Sequence, residues 1–136
     1  MREILSIVCV SMLLLSAFAS HALARDQFAG KWKVEVLPDE DARRAGERKF
    51  DDTLLFEGGF FSSAVFKKRG FDRVQFEEDV RRGPIASFKA AAESEKQGAA
   101  HWSGTVTADQ IKGELVWTKA DGTELRYSFQ GSRAQE

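Results

Sequence analysis

The side chains that could do chemistry in this sequence are few, and their spacing limits what they could do. His101 is the one histidine beyond residue 24; the other, His21, lies in an apolar N-terminal stretch. A Ser–His–Asp constellation would need His101 beside an acid and one of Ser62, Ser63, Ser87 or Ser103. No nucleophile-elbow pattern surrounds any of those serines. A lone histidine on a strand is most simply a solvated side chain, and a histidine-rich metal site is excluded by count. Acids cluster at Asp39-Glu40-Asp41, Asp51-Asp52 and Glu77-Glu78-Asp79. Such groups could do acid–base work or hold Ca²⁺ through oxygen ligands, yet none has the spacing of an EF-hand loop. Solvated charge is the plainer reading. Adjacent acids on a strand point to opposite faces, so Asp51 and Asp52 cannot both enter one site. Asp52 is the exception among the acids. It shares a parity with Phe50, Leu54 and Phe56, so if they point inward it does too, and it then needs a partner such as Arg73 or Lys49, or a place at the mouth of the fold.

No catalytic residue, cofactor or metal is expected from these groups. The single cysteine, Cys9, and both methionines lie in the first 24 residues. That segment has the parts of a secretory signal: Arg2, an apolar run from Ile4 to Phe18, and Ala22-Leu23-Ala24 as a small-x-small cleavage site. Residues 1–24 are therefore expected to be removed, leaving 25–136 as one domain without a disulfide or thiol, in a secreted or periplasmic location. A net charge of −1 gives no electrostatic reason to expect nucleic acid or an anionic membrane as partner. No second apolar run could span a bilayer.

The elements that must position these groups are strands. In Ala100–Gly131 the apolar positions alternate: Ala100, Trp102, Gly104 and Val106; then Ile111, Gly113, Leu115 and Trp117; then Leu125, Tyr127 and Phe129. Period-two alternation predicts three antiparallel strands with one apolar face each. Asp121-Gly122 suits a two-residue type I′ turn, and Ala108-Asp109-Gln110 a looser one. Upstream, Gly30–Leu37 is the clearest first strand, stopped by Pro38. Residues 39–49 read as a charged connection with one helical turn begun by Asp39. Phe50–Glu57 is a strand, Gly58-Gly59 a turn, and Phe60-Phe61 the start of another extended piece. Ser62 or Ser63 can cap a short helix through Arg69, which Gly70 stops. Val74 and Phe76 share a face in the next strand, 77–84 reads as a charged loop, and Ile85–Ser94 alternates again.

The fold class that follows is all-β: an antiparallel up-and-down barrel of about seven to eight strands with one short helix, or alternatively an open β-sandwich. Closing the sheet removes exposed edges. Of eleven phenylalanines, all but Phe18 fall in the expected mature chain. Filling the core is their first use. The second is a pocket for an apolar ligand, lined by Phe56, Phe60, Phe66, Phe76, Phe88, Trp117 and Tyr127. Phe60 and Phe61 are adjacent, so both cannot point inward.

At Gly30-Lys31-Trp32, behind a secretion signal, the chain resembles the lipocalin-like (calycin) barrels. The closing meander with Trp102, Gly104, Gly113 and Trp117 is similar to their later strands. The resemblance implies that Gly30 and Trp32 form a structural plug at a closed barrel end. It also implies an arginine near the last strand over the tryptophan, which Arg126 or Arg133 could supply. No Thr-Asp-Tyr motif occurs in the middle of the chain. The expectation is a secreted, non-enzymatic barrel that binds a small apolar or amphipathic molecule. The alternative is an interaction module, such as an inhibitor or envelope-associated protein, with a filled barrel whose loops 38–49 and 77–84 meet a protein partner.

Overall fold

Alternating strands with short turns have two ways to hide their apolar faces, stacking two sheets or closing one. The computed structural model, which describes residues 27–82 and 85–134, closes one. The expected signal segment lies outside the described residues. The strands are β1 (Gly30–Pro38), β2 (Phe50–Glu57), β3 (Phe60–Ser63), β4 (Val74–Arg82), β5 (Ile85–Ser94), β6 (Gly98–Thr107), β7 (Gln110–Thr118) and β8 (Glu124–Arg133). Each is antiparallel to the next, and β8 returns to β1 from Trp32↔Arg133 to Pro38↔Tyr127, which makes a closed up-and-down barrel. The sandwich alternative is thereby excluded.

Two short helices interrupt the meander, where one helix and a single helical turn were expected. Helix α1 (Glu40–Arg44) is capped by Asp39, whose side chain accepts the Ala42 N–H at 2.8 Å. Helix α2 (Ala64–Lys68) is capped by Ser63, whose hydroxyl accepts the Phe66 N–H at 3.1 Å. Gly70, at φ 99°, follows it in the left-handed region. Phe66 is the buried residue of α2, and Val65 packs partly against the core.

The expected loop 77–84 is corrected. Glu77–Arg82 belongs to β4 and pairs with β5, from Glu77↔Lys89 to Arg82↔Ile85. Charge misled there: Glu77, Glu78 and Asp79 are all exposed, so both faces of this part of β4 meet water and tolerate acids. The turns are corrected too. Asp121 lacks the positive φ a type I′ turn needs, and only Gly122, at φ 90°, adopts it. Lys119–Thr123 is a wider loop, closed by Lys119 N–H to Thr123 O at 2.8 Å and tightened by Thr123 N–H to Asp121 Oδ1. The two-residue connections lie elsewhere. Gly58 and Gly59 have φ 61° and 84°, and Ala108, at φ 53°, turns β6 into β7.

Inside, the apolar parities read from sequence are the buried ones. Trp32, Val34 and Val36 on β1 are buried, as are Ala86, Phe88, Ala90 and Ala92 on β5 and the inward sets of β6 to β8. Phe61 points in and Phe60 is half-buried, with the Arg73 guanidinium 4.4 Å from its ring centroid. Gly104 and Gly113 face each other across β6 and β7. Phe88 and Phe129 are their partners on the outer flanks, so one row crosses four strands. A Cβ on Gly113 would lie 2.6 Å from Phe129 Cζ and 2.1 Å from Ser103 O. The two glycines leave room for the Phe88 and Phe129 rings.

Two outcomes are expected in urea unfolding. Trp32→Ala should cost roughly 3–5 kcal/mol, because Trp32 is wholly buried. A change near zero would mean that it plugs nothing. Gly113→Ala should cost about 1–3 kcal/mol through overpacking, and a neutral result would mean that the Phe129 ring and the β6 backbone at Ser103 can both give way.

Candidate functional site

A ligand pocket in an eight-stranded barrel needs rings that stand apart, and here they touch. Phe28, Phe56, Phe61, Trp102, Phe66 and Trp117 form a continuous column with successive centroid distances of 5.5, 5.1, 5.0, 5.2 and 5.3 Å. Phe76 and Phe88 each lie 5.0 Å from Phe56. Of the residues expected to line a pocket, Phe56, Phe66, Phe88, Trp117 and Tyr127 are buried in such contacts and Phe76 is half-buried against them. Phe60 stands outside the cluster. The space enclosed among Phe61, Phe66, Phe71, Ala92 and Trp102 amounts to about 0 Å³ of cavity.

At each barrel end an arginine lies over a tryptophan. At the lower end the Arg133 guanidinium lies 4.3 Å from the Trp32 ring centroid. It donates to the carbonyls of Ala29 and, at 2.8 Å, Gln27. Trp32 Nε1–H donates to Phe28 O at 2.9 Å. Of the two arginines the sequence offered, Arg133 takes this place, and Arg126 is exposed beside Glu124. At the upper end Arg69 lies 4.8 Å from Trp117, 5.0 Å from Phe66 and 5.8 Å from Phe50. Its Nη1 is buried and has no hydrogen-bond partner among the described residues. Trp117 Nε1–H donates to Gln97 O at 2.7 Å. Tyr127 donates to Glu47 at 3.0 Å, and Lys119 approaches the same carboxylate at 3.9 Å. Burial and the Glu47 carboxylate push the Tyr127 hydroxyl well above its ordinary range, so it stays a donor. The sequence pointed to Arg69 only as a cation ending a helix. Its place over three rings from separate elements had no local signal.

Asp52 is buried, as its parity predicts, but neither Arg73 nor Lys49 is its partner. It accepts from Ser63 Oγ–H, from Thr53 N–H at 2.8 Å and from Val65 N–H at 3.1 Å. The cation is unnecessary because the amides at the start of α2 supply the donors. Burial raises the Asp52 carboxyl above the ordinary aspartate value, against the lowering effect of these hydrogen bonds, Ser63 first. The arrangement fastens α2 to β2, and the Ser63 hydroxyl in it is buried.

His101, Ser103 and Glu77 line one shallow groove on the outer face, of about 460 Å³, with Lys89 and Gln75. Lys89 stands between Glu77 and Ser103 in the ladder. All four of Glu77, Lys89, His101 and Ser103 are exposed, and no hydrogen bond joins the histidine to either the serine or the acid among the described residues. A second groove, of about 570 Å³, runs beside α2 over Lys33, Glu35, Asp51 and Lys68. A third concavity, of about 490 Å³, opens at the lower barrel end between Ala29, the Gly58-Gly59 turn, Phe56, Phe76 and the β4 backbone, with Glu57 and Glu78 at its rim. Among the described residues no cluster of three or more His, Cys, Asp or Glu could hold a metal ion, and no helix is long and apolar enough to cross a membrane. Compared with known proteins, the chain matches no family model, no curated protein and no solved structure.

The Asp52 carboxyl binds its proton more tightly in the folded chain than in the unfolded one. Its contribution therefore disfavours folding increasingly as pH rises from about 4 through its folded pKa. In urea unfolding across that range, Asp52→Asn should gain stability relative to the parent as pH rises. A difference that shrinks with rising pH would reverse the assignment.

Proposed function

We propose that the protein is a secreted, non-enzymatic interaction module built on a filled, lipocalin-like barrel. The observation that carries this reading is the packed aromatic column. A carrier holding an apolar molecule in the interior would have to displace rings already in van der Waals contact, which is costly in a close-packed core. Gly30, Trp32 and Arg133 support the lipocalin-like part: glycine at the strand head, tryptophan as plug, arginine over it. The N-terminal charge, apolar run and cleavage pattern support secretion. The solvated, unconnected His101, Ser103 and Glu77 support the absence of catalysis. The loop 38–49 narrows to the α1 connection, because Pro38 ends β1 and residues 45–49 are its irregular part.

Native mass spectrometry of the protein recovered from its own secretory compartment tests the reading against the denatured mass. The expected spectrum shows the bare chain or the chain with a bound protein. A small molecule that co-purifies and leaves on denaturation would overturn it in favour of a carrier.

A further inference from the structure

An interaction module needs a surface that recognises something, and this one offers little apolar area. Ile85, 46% exposed, is the one exposed large hydrophobic residue among those described. Recognition must then rest on charge and on backbone groups, and one place provides both.

That place is the seam between β3 and β4. The ladder there has two pairs, Phe60↔Gln75 and Phe61↔Val74. Below it the chain turns away at Gly58-Gly59, and the last link is Phe76 N–H to Gly59 O at 3.3 Å. In an antiparallel strand a residue's N–H and C=O point to the same side, and alternate residues share that side. The Phe76 carbonyl and both backbone groups of Glu78 therefore face away from β5, towards the space β3 vacates. Among the described residues no strand occupies it. The 490 Å³ recess does, floored by Phe56 and Phe76. Its volume falls in the range of ligand sites, about 300–1,000 Å³. Glu57 and Glu78, both exposed, stand at its rim without an ion pair among the described residues. A register shift between Asp79 and Arg82 ends the regular edge, which limits an added strand to a few residues.

We propose that this edge accepts an extended peptide segment bearing lysine or arginine, added as a short strand beside β4. The Glu78 amide and carbonyl pair with its backbone, Glu57 and Glu78 meet its cationic side chains, and an apolar side chain lies over Phe76. Strand addition of this kind draws affinity from main-chain hydrogen bonds and specificity from alternate side chains. The proposal rests on the interaction-module reading and names the site and the partner's chemistry.

The probe is an acetylated, amidated Thr-Lys-Thr-Val-Lys peptide, whose second and fourth side chains share one face as those of Glu78 and Phe76 do on β4, titrated into the ¹⁵N-labelled chain. Amide shifts are expected at Gly58, Gly59, Phe76 and Glu78. N-methylation of alternate peptide amides, or replacement of its lysines by glutamate, should weaken binding by about ten-fold or more, as loss of main-chain or charged hydrogen bonds requires. The isosteric double variant Glu57→Gln with Glu78→Gln, at exposed positions that leave the fold intact, should weaken it by about five-fold and flatten its salt dependence. No binding, indifference to N-methylation, or an unaffected double variant would overturn the proposal. Shifts at 45–49 or 119–123 instead would overturn the edge site while leaving an interaction module in place. A small molecule retained in the native mass spectrum would overturn the module itself.

Discussion

Eight antiparallel strands closed on themselves set a radius, and the volume inside that radius has to be filled or left open. Here it is filled by rings in edge-to-face and tilted contact from Phe28 at one end to Trp117 at the other. Everything else in the structure accommodates that column. Gly104 and Gly113 remove side chains where Phe88 and Phe129 need to lie. Alanines take the inward positions of β5 around Phe88, where larger residues would crowd the rings. Helix α2 exists where it does because Phe66 must reach between Trp102 and Trp117. A chain without disulfides in its described residues holds together by this packing.

The two ends solve the same problem with the same chemistry. A tryptophan at a barrel mouth has an apolar face to hide and an indole N–H to satisfy. Trp32 and Trp117 each donate to a nearby carbonyl and receive an arginine over the ring. At the lower end Arg133 spends its donors on the Gln27 and Ala29 carbonyls and holds the lead-in segment across the opening. At the upper end Arg69 sits against three rings, and Glu47 gathers Tyr127 and Lys119 beside it. Arginine suits both places because its planar, weakly hydrated cation stacks on aromatic faces.

With its interior filled by rings, the barrel presents its outer surface to solvent. Among the described residues that surface is polar almost throughout, and the strand pairing is shortest at the β3–β4 seam, which has two residue pairs. β3 is short because α2 begins directly after Ser63, and Ser63 serves as strand residue, helix cap and donor to Asp52 at once. The buried Asp52 carboxylate thus fixes where β3 ends above, as Gly58-Gly59 fixes where it begins below. The acids and the bulge along β4 also protect that edge from indiscriminate pairing, a common device for exposed strands.

Much of this was legible residue by residue. Period-two alternation assigned the inward face of β1, β2 and β5 to β8, because a strand's side-chain period is a local property. Ser63 and Gly70 marked the helix, and the parity of Asp52 put a carboxylate inside, for equally local reasons. Other features were decided only by the tertiary structure. Period two is the same in a sandwich and a barrel, so closure depended on β1 meeting β8, nearly the whole chain away. Whether the phenylalanines line a pocket or fill it depended on distances between rings on different strands. Asp52's partner came from the start of α2 rather than from a cation, and Glu77–Arg82 became strand because its neighbour β5 supplied a ladder. Alternation and capping are written within a few residues, whereas closure, filling and the short β3–β4 seam arise from how strands meet in space.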